Sequence, residues 1–105
     1  MYELYKKMFD SPNSIKKHKR VVIDFTASWC APCKRIAPHY SKLEEKYKNV
    51  VFFKIDVDKY EEMAKEFNIE SMPTFVSLLD GKVFDTFTGA NEQKLEQLIR
   101  DVSEQ

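Results

Sequence analysis

The sequence predicts a single α/β domain over residues 1–105, with a mixed β-sheet of about five strands flanked by about four helices. Three observations support this fold class. Two β-branched and aromatic runs, RVVIDFT at residues 20–26 and VVFFKIDV at residues 50–57, are typical of buried strands. Each run is followed by a segment whose apolar residues have helical spacing. Two further strand-like runs are separated only by Asp80-Gly81, a two-residue hairpin signal.

The N-terminal part of the chain contains two weaker signals. The stretch YELYK at residues 2–6 is interpreted as a short edge strand. Ser11-Pro12 is typical of a helix start, with serine as the cap and proline in the first turn. This helix is predicted to end near residue 18, just before the strand at residues 20–26.

The middle of the chain alternates helix and strand. In residues 31–47 the apolar side chains step by four, three and four, which places them on one face of a helix. A second strand follows at residues 50–57, and a short helix is predicted around residues 60–67, where apolar residues recur at helical spacing. Strands joined through a helix are expected to pair in parallel.

The last third of the chain should form a hairpin and a final helix. Strands at Thr74–Leu79 and residues 82–87 enclose the Asp80-Gly81 turn and should therefore pair antiparallel. Asn91 is a suitable N-cap for the last helix. The apolar face of this helix comprises Leu95, Leu98, Ile99 and Val102.

Composition argues against several classes of function. Lysine plus arginine and aspartate plus glutamate both number 17, and neither sign is concentrated in one segment, which argues against nucleic-acid binding. No apolar run approaches the roughly 18–20 residues of a membrane span. The N-terminal stretch MYELYKKMFD does not resemble a secretory signal or a transit peptide. We therefore expect a cytoplasmic monomer that binds neither nucleic acid nor membrane.

The only two cysteines, Cys30 and Cys33, lie in SWCAPCK at a predicted strand-to-helix junction. They could be metal ligands, inert buried thiols or a redox pair. Zinc requires four ligands, typically in two paired clusters, and His18 and His39 are too badly spaced to complete a site with this single CxxC. No metal site is therefore expected. A CxxC motif beside a βαβ pattern in a cytosolic protein favours a disulfide that forms and breaks.

The position of the pair predicts different roles for the two cysteines. A helix start supplies unpaired N–H groups and the positive end of the helix dipole, which favour a thiolate at Cys30. Cys33 lies one turn deeper and is expected to be more buried and less favoured as an anion. Cys30 is therefore predicted to attack and Cys33 to resolve. Pro32 suits the first turn because the helix needs no N–H there.

Several motifs together resemble the thioredoxin family. They are WCAPCK after VVIDFTAS, then SMPTF, the Asp-Gly hairpin and FTGAN, and they cover the chain from about Val21 onwards. The resemblance implies the thioredoxin fold and a protein-disulfide reductase that works through Cys30 and Cys33 without a bound cofactor. It also implies electrons from NADPH through a thioredoxin reductase, with peroxiredoxin-like and other disulfide-containing proteins as targets. Ala31 stands where the family usually has glycine, at a position that affects geometry and thiolate stability.

Asp24 interrupts a buried strand, and two interpretations are open for it. It could be a proton relay that deprotonates Cys33 through water, or an aspartate at a strand end that reaches solvent. Burial would raise its pKa. The resemblance favours the relay, because the family has a buried aspartate at this position. Lys54, in the second strand, either extends to solvent or approaches Asp24 and tunes it, as the resemblance suggests.

The resemblance also implies a substrate-binding surface around the cysteines. Trp29 could be part of that surface or part of the core. The base rate for X–Pro bonds favours a trans Met72–Pro73 peptide. The resemblance instead implies a cis bond that faces the cysteines. It also implies that the backbone of Met72 is available to an extended target segment. The other predicted members of this surface are Ala31, Pro32, Gly89 and Ala90. Gly89 could instead simply end a strand.

Two other functions remain open on the sequence. An oxidase or isomerase of the secretory pathway is disfavoured by the absence of a signal peptide and by the ending VSEQ in place of a retention signal. A binding module that docks a partner in either redox state would keep its effect if both cysteines were replaced by serine. The equilibrium of the pair with glutathione would distinguish a reductant from an oxidant.

Overall fold

The computed structural model describes residues 18–105, which contain four strands and three helices. In chain order these are β1 (Arg20–Thr26), α1 (Ala31–Lys46), β2 (Val51–Asp56), α2 (Glu61–Glu66), β3 (Thr74–Leu79), β4 (Lys82–Thr88) and α3 (Glu92–Ser103). The strand predicted at residues 2–6 and the helix predicted after Ser11-Pro12 fall on the part of the chain outside this description. From residue 20 onwards every predicted strand and helix is present. Where an observed boundary differs from the predicted one, the difference is one residue.

The four strands form one mixed sheet in the order β2-β1-β3-β4. β1 pairs in parallel with β2, and it pairs antiparallel with β3. β3 and β4 form the predicted antiparallel hairpin. Asp80 and Gly81 at its tip both have positive φ, 52° and 82°, as a two-residue hairpin turn requires. The prediction of a mixed sheet is confirmed.

Helices cover both faces of the sheet because side chains alternate along each strand. Val22 of β1 points to one face, where it belongs to a cluster with residues of α1 and α3. Val21, Ile23 and Phe25 point to the other face and share a cluster with Met63 of α2. The α1 and α3 residues in the first cluster are Ile36, Tyr40, Leu43, Leu95, Leu98, Ile99 and Val102.

The parallel pairing of β1 and β2 brings the loops that follow them to the same edge of the sheet. Val57 N, just beyond β2, donates a hydrogen bond of 2.9 Å to Thr26 O at the end of β1. Functional groups commonly collect at the carboxyl ends of parallel strands in α/β sheets. The start of α1, with both cysteines, therefore lies next to the segment that follows β2.

Across residues 18–105, no helix has both the length and the apolar character needed to cross a membrane.

Candidate active site

Cys30 and Cys33 form a disulfide at the start of α1, with their Cα atoms 5.3 Å apart. Cys30 is the N-cap residue and has an extended backbone, whereas Cys33 lies within the first turn. Cys30 Sγ accepts a hydrogen bond of 3.2 Å from Cys33 N, which is the bond that serine or aspartate oxygen makes at other helix starts. The same N–H would stabilise a negative charge on Cys30 Sγ once the disulfide is reduced.

The expected difference in burial between the two cysteines is not found. Cys30 is 4% exposed and Cys33 is 3% exposed. The disulfide holds the Cys30 sulfur against Cys33, and Ala27 completes the same buried cluster. In this oxidised form the cysteines therefore differ in their position along α1 and not in their burial.

Asp24 lies in the middle of β1 and is only 1% exposed. This excludes the interpretation in which its carboxylate reaches solvent. Oδ1 of Asp24 has no hydrogen-bond partner among residues 18–105, so burial is not offset at that atom. Burial raises the pKa of Asp24 from 3.8 to about 7, and the nearby charge of Lys54 opposes this increase. The predicted direction of the pKa change is confirmed.

Lys54 is the direct neighbour of Asp24 in the parallel register of β1 and β2. It is partly buried, and its positive charge lowers the pKa of Asp24 by less than burial raises it. No direction for the influence of Lys54 on Asp24 is predicted from the sequence. The pairing of β1 with β2 places Lys54 beside Asp24, because neighbouring parallel strands lie only about 4.8 Å apart.

Trp29 is 66% exposed, which excludes a role as core filler. Its indole Nε1 donates a hydrogen bond of 2.9 Å to Asp58 Oδ2. The backbone N–H of Asp58 in turn donates to Asp56 Oδ1 at 2.9 Å. The segment after β2 thus holds the indole beside the cysteines. No local pattern in the sequence identifies Asp58 as a partner of Trp29, although the parallel order of β1 and β2 indicates that the loops after these strands meet.

The peptide bond between Met72 and Pro73 is cis, as the resemblance implies and contrary to the base rate. Met72 is partly buried and packs against the cluster that contains both cysteines. Gly89 N donates a hydrogen bond of 2.9 Å to Pro73 O, so the loop after β4 adjoins the cis peptide. Gly89 has a φ of 125°, a backbone conformation that favours glycine.

The remaining predicted surface residues fall in two places. Ala31 is exposed and Pro32 is partly buried, both in the first turn of α1. Ala90 packs against the core cluster beneath α1 and α3, so its side chain contributes to packing on that face.

The sequence places Tyr40 on the apolar face of α1 but does not predict the hydrogen bonds of its hydroxyl. Its side chain is buried, and its hydroxyl donates to Phe53 O at 2.7 Å and lies 3.2 Å from Val22 O. The hydroxyl therefore ties the middle of α1 to the backbones of β1 and β2. A periodic apolar face identifies Tyr40 as a core residue, but it carries no information about the partner of a hydroxyl.

No group of three or more histidine, cysteine, aspartate or glutamate residues within residues 18–105 is arranged to hold a metal ion.

Comparison with known proteins agrees with this geometry. The sequence model of the family "Thioredoxin" matches residues 1–101. The thioredoxin of Equus caballus is 49% identical over 82 residues, which are 78% of this chain and 78% of that protein. A solved structure of Plasmodium falciparum thioredoxin has 45% identity and a TM-score of 0.85, covering 91% of this chain and 92% of that one.

A further solved structure concerns the thiol resolving mechanism of yeast mitochondrial 1-Cys peroxiredoxin through the glutathione and thioredoxin systems. A chain in it is 43% identical to this one, with a TM-score of 0.84, and covers 89% of this chain and 88% of its own length. The fold, the cysteine pair and these matches lead to one conclusion. This chain belongs to the thioredoxin family.

Proposed function

We propose that Cys30 is the attacking thiol and Cys33 the resolving thiol of this protein-disulfide reductase. Thiol–disulfide exchange is the chemistry of the family, and the cysteine pair performs it without a bound cofactor. The electrons come from NADPH through a thioredoxin reductase and pass to disulfides in target proteins. The observation that carries the assignment is the hydrogen bond from Cys33 N to Cys30 Sγ at the N-cap of α1.

In the first step, the Cys30 thiolate of the reduced protein attacks one sulfur of a target disulfide. The target S–S bond breaks, a mixed disulfide forms on Cys30, and the second target sulfur leaves as a thiolate that takes a proton from water. The Cys33 N–H supports this step because it donates to the sulfur that carries the negative charge.

In the second step, Asp24 accepts the proton of Cys33 through an intervening water molecule, and the resulting thiolate attacks the Cys30 sulfur. The mixed disulfide breaks, the target leaves with its second thiolate, and the Cys30–Cys33 disulfide forms. Two electrons have then passed to the target. A pKa of about 7 suits Asp24 to this transfer, because a general base works best when its pKa is near the operating pH. We assign Lys54 the role of keeping part of the Asp24 population ionised.

The surface around the cysteines is proposed to bind the target. Trp29 is exposed next to Cys30 and is held in place by Asp58. Met72 packs against the cluster that contains the cysteines. Gly89 hydrogen-bonds Pro73 of the cis peptide. An extended target segment would lie between these elements and hydrogen-bond the Met72 backbone, as in strand addition. Ala31, Pro32, Pro73 and Ala90 complete the proposed surface.

We further propose that the protein acts as a cytoplasmic monomer whose targets include peroxiredoxin-like enzymes. A reductant needs a compartment that keeps its thiols reduced, and the cytosol does so. The exposed large apolar side chains within residues 18–105 are Trp29, Val83 and Phe84, too few for an extended dimer interface. The similar chain in the peroxiredoxin study supports this class of target.

The reductase assay tests the assignment of the two cysteines. The protein, supplied with NADPH and a thioredoxin reductase, should reduce insulin disulfides. Cys30→Ser should abolish turnover, whereas Cys33→Ser should accumulate a mixed disulfide with the target. If Cys30→Ser trapped targets and Cys33→Ser did not, the two roles would be reversed.

Two controls separate the other interpretations. Replacing both cysteines by serine should remove the cellular effect, which a redox-independent binding module would retain. The equilibrium of the Cys30–Cys33 pair with glutathione should show a reducing pair. A pair as oxidising as those of secretory oxidases would contradict the proposed direction of electron flow.

A further inference from the structure

A recess of about 490 Å³ opens beside Cys33, between the start of α1 and the end of β2. Three lysines line it, Lys34 from α1, Lys54 from β2 and Lys59 from the segment after β2. Asp56 is the single carboxylate in the lining formed by residues 18–105. The recess therefore carries an excess of positive charge next to one of the two reacting sulfurs.

The lining suits a carboxylate. Lys34 and Lys59 are exposed and both belong to the lining, so two of its three positive charges lie at the solvent side of the recess. Ser28, also in the lining, adds a hydroxyl that can donate to an anion. The single Asp56 carboxylate offsets only one of the three positive charges in the lining formed by residues 18–105.

The recess lies within reach of a bound target. In the mixed disulfide, the target sulfur is bonded to Cys30, next to Cys33, which lines the recess. The residues adjoining the target cysteine are one Cα–Cα step of about 3.8 Å away along the target chain. An aspartate or glutamate side chain at such a position can extend into a recess that begins at the Cys33 side of the pair.

We propose that this recess is a subsite for an acidic side chain of the target, so that disulfides flanked by aspartate or glutamate are reduced faster than neutral ones. The inference rests on the proposed reductase function and adds a preference within its substrates. Aspartate and glutamate are the anionic side chains of unmodified proteins at neutral pH, which is why the subsite is assigned to them.

Two pairs of synthetic disulfide peptides test the proposal. In each pair, one residue next to a cysteine is glutamate or glutamine, on the N-terminal side in one pair and on the C-terminal side in the other. The rate constant for reduction by the reduced protein is measured in single turnover. We expect the glutamate peptide of at least one pair to react about threefold to tenfold faster at low ionic strength. The preference should fall toward unity near 1 M salt, where the Debye length is about 3 Å.

Variants show whether the recess causes the preference. The double variant Lys34→Gln/Lys59→Gln should reduce glutamate and glutamine peptides at rates within about twofold of each other. Lys42→Gln, at an exposed position of α1 outside the recess, is the matched control and should keep the preference of the parent. Lys54 is left unchanged because it adjoins Asp24.

The possible outcomes separate the inference from the function on which it rests. Equal rates for glutamate and glutamine in both pairs would overturn the subsite and leave the reductase function intact. A preference that persists in the double variant would also overturn it. Failure to reduce any of the four peptides would count against the proposed function itself.

Discussion

Replacing Asp24 by asparagine should stabilise the protein and slow its catalytic cycle. Asparagine has nearly the same shape as aspartate, so the packing around this 1% exposed side chain is preserved. The substitution removes the ionisation that burial disfavours, and it also removes the proposed proton acceptor of Cys33. Stability and activity should therefore change in opposite directions.

The magnitude follows from the pKa of Asp24, which is 3.8 in its ordinary state and about 7 in the folded protein. Because the folded pKa is raised, the contribution of Asp24 to stability is fully present below pH 3.8 and is lost as the pH rises to about 7. One pKa unit corresponds to about 1.4 kcal/mol, so the loss above pH 7 amounts to about 4 kcal/mol. The buried amide offsets part of the gain, and we expect Asp24→Asn to stabilise the fold by about 1–4 kcal/mol at pH 8 and by under about 1 kcal/mol at pH 4.

Urea unfolding of the oxidised protein, followed by circular dichroism at pH 4 and pH 8, measures the first half of this prediction. Asp80→Asn is a suitable control, because Asp80 is an exposed turn residue with positive φ and asparagine tolerates this conformation. The control should differ from the parent by less than about 0.5 kcal/mol at both pH values.

Stopped-flow release of a preformed mixed disulfide measures the second half. Loss of the general base should slow release on the order of 100-fold, while the first attack by Cys30 should change much less. A variant that is less stable than the parent at pH 8 and releases its target at the parent rate would refute both the burial argument and the proposed relay.

Three further predictions concern the neighbours of the pair. Reduction of the disulfide should change the fluorescence of Trp29, the only tryptophan, because an adjacent disulfide quenches indole more than two thiols do; identical spectra before and after dithiothreitol would contradict this. Asp58→Ala should lower kcat/KM for insulin reduction by about twofold to tenfold with little effect on urea stability, since the indole loses its hydrogen bond. Asp58→Asn, which keeps an oxygen acceptor, should recover most of that activity, and an unchanged kcat/KM in the alanine variant would show that the bond is dispensable. Tyr40→Phe should destabilise the fold by about 1–2 kcal/mol in urea, because the hydrogen bond from the Tyr40 hydroxyl to the buried carbonyl of Phe53 is lost. A change below about 0.3 kcal/mol would mean that this hydrogen bond adds no net stability.

The elements from β1 to α3 could be predicted because each depends on a local pattern. Alternation and β-branching identify a strand, apolar spacing identifies a helix face, and Asp80-Gly81 specifies its own turn. The chemistry of the cysteine pair is local in the same sense. Cys30 and Cys33 are three residues apart at a helix start, so their proximity requires one turn of backbone and no tertiary contact.

The structure alone decided the features that join distant segments. The contact between Trp29 and Asp58, and the lysine-lined recess beside Cys33, depend on which strands pair and in which register. The sequence left open whether Asp24 is buried or reaches solvent, and its pKa depends on how completely water is excluded and on how near Lys54 lies. The sequence by itself therefore determined the elements and the reacting pair, whose interactions span a few residues. The environment that tunes the pair comes from contacts between residues about 20 to 40 positions apart, which only the packed sheet and helices bring together.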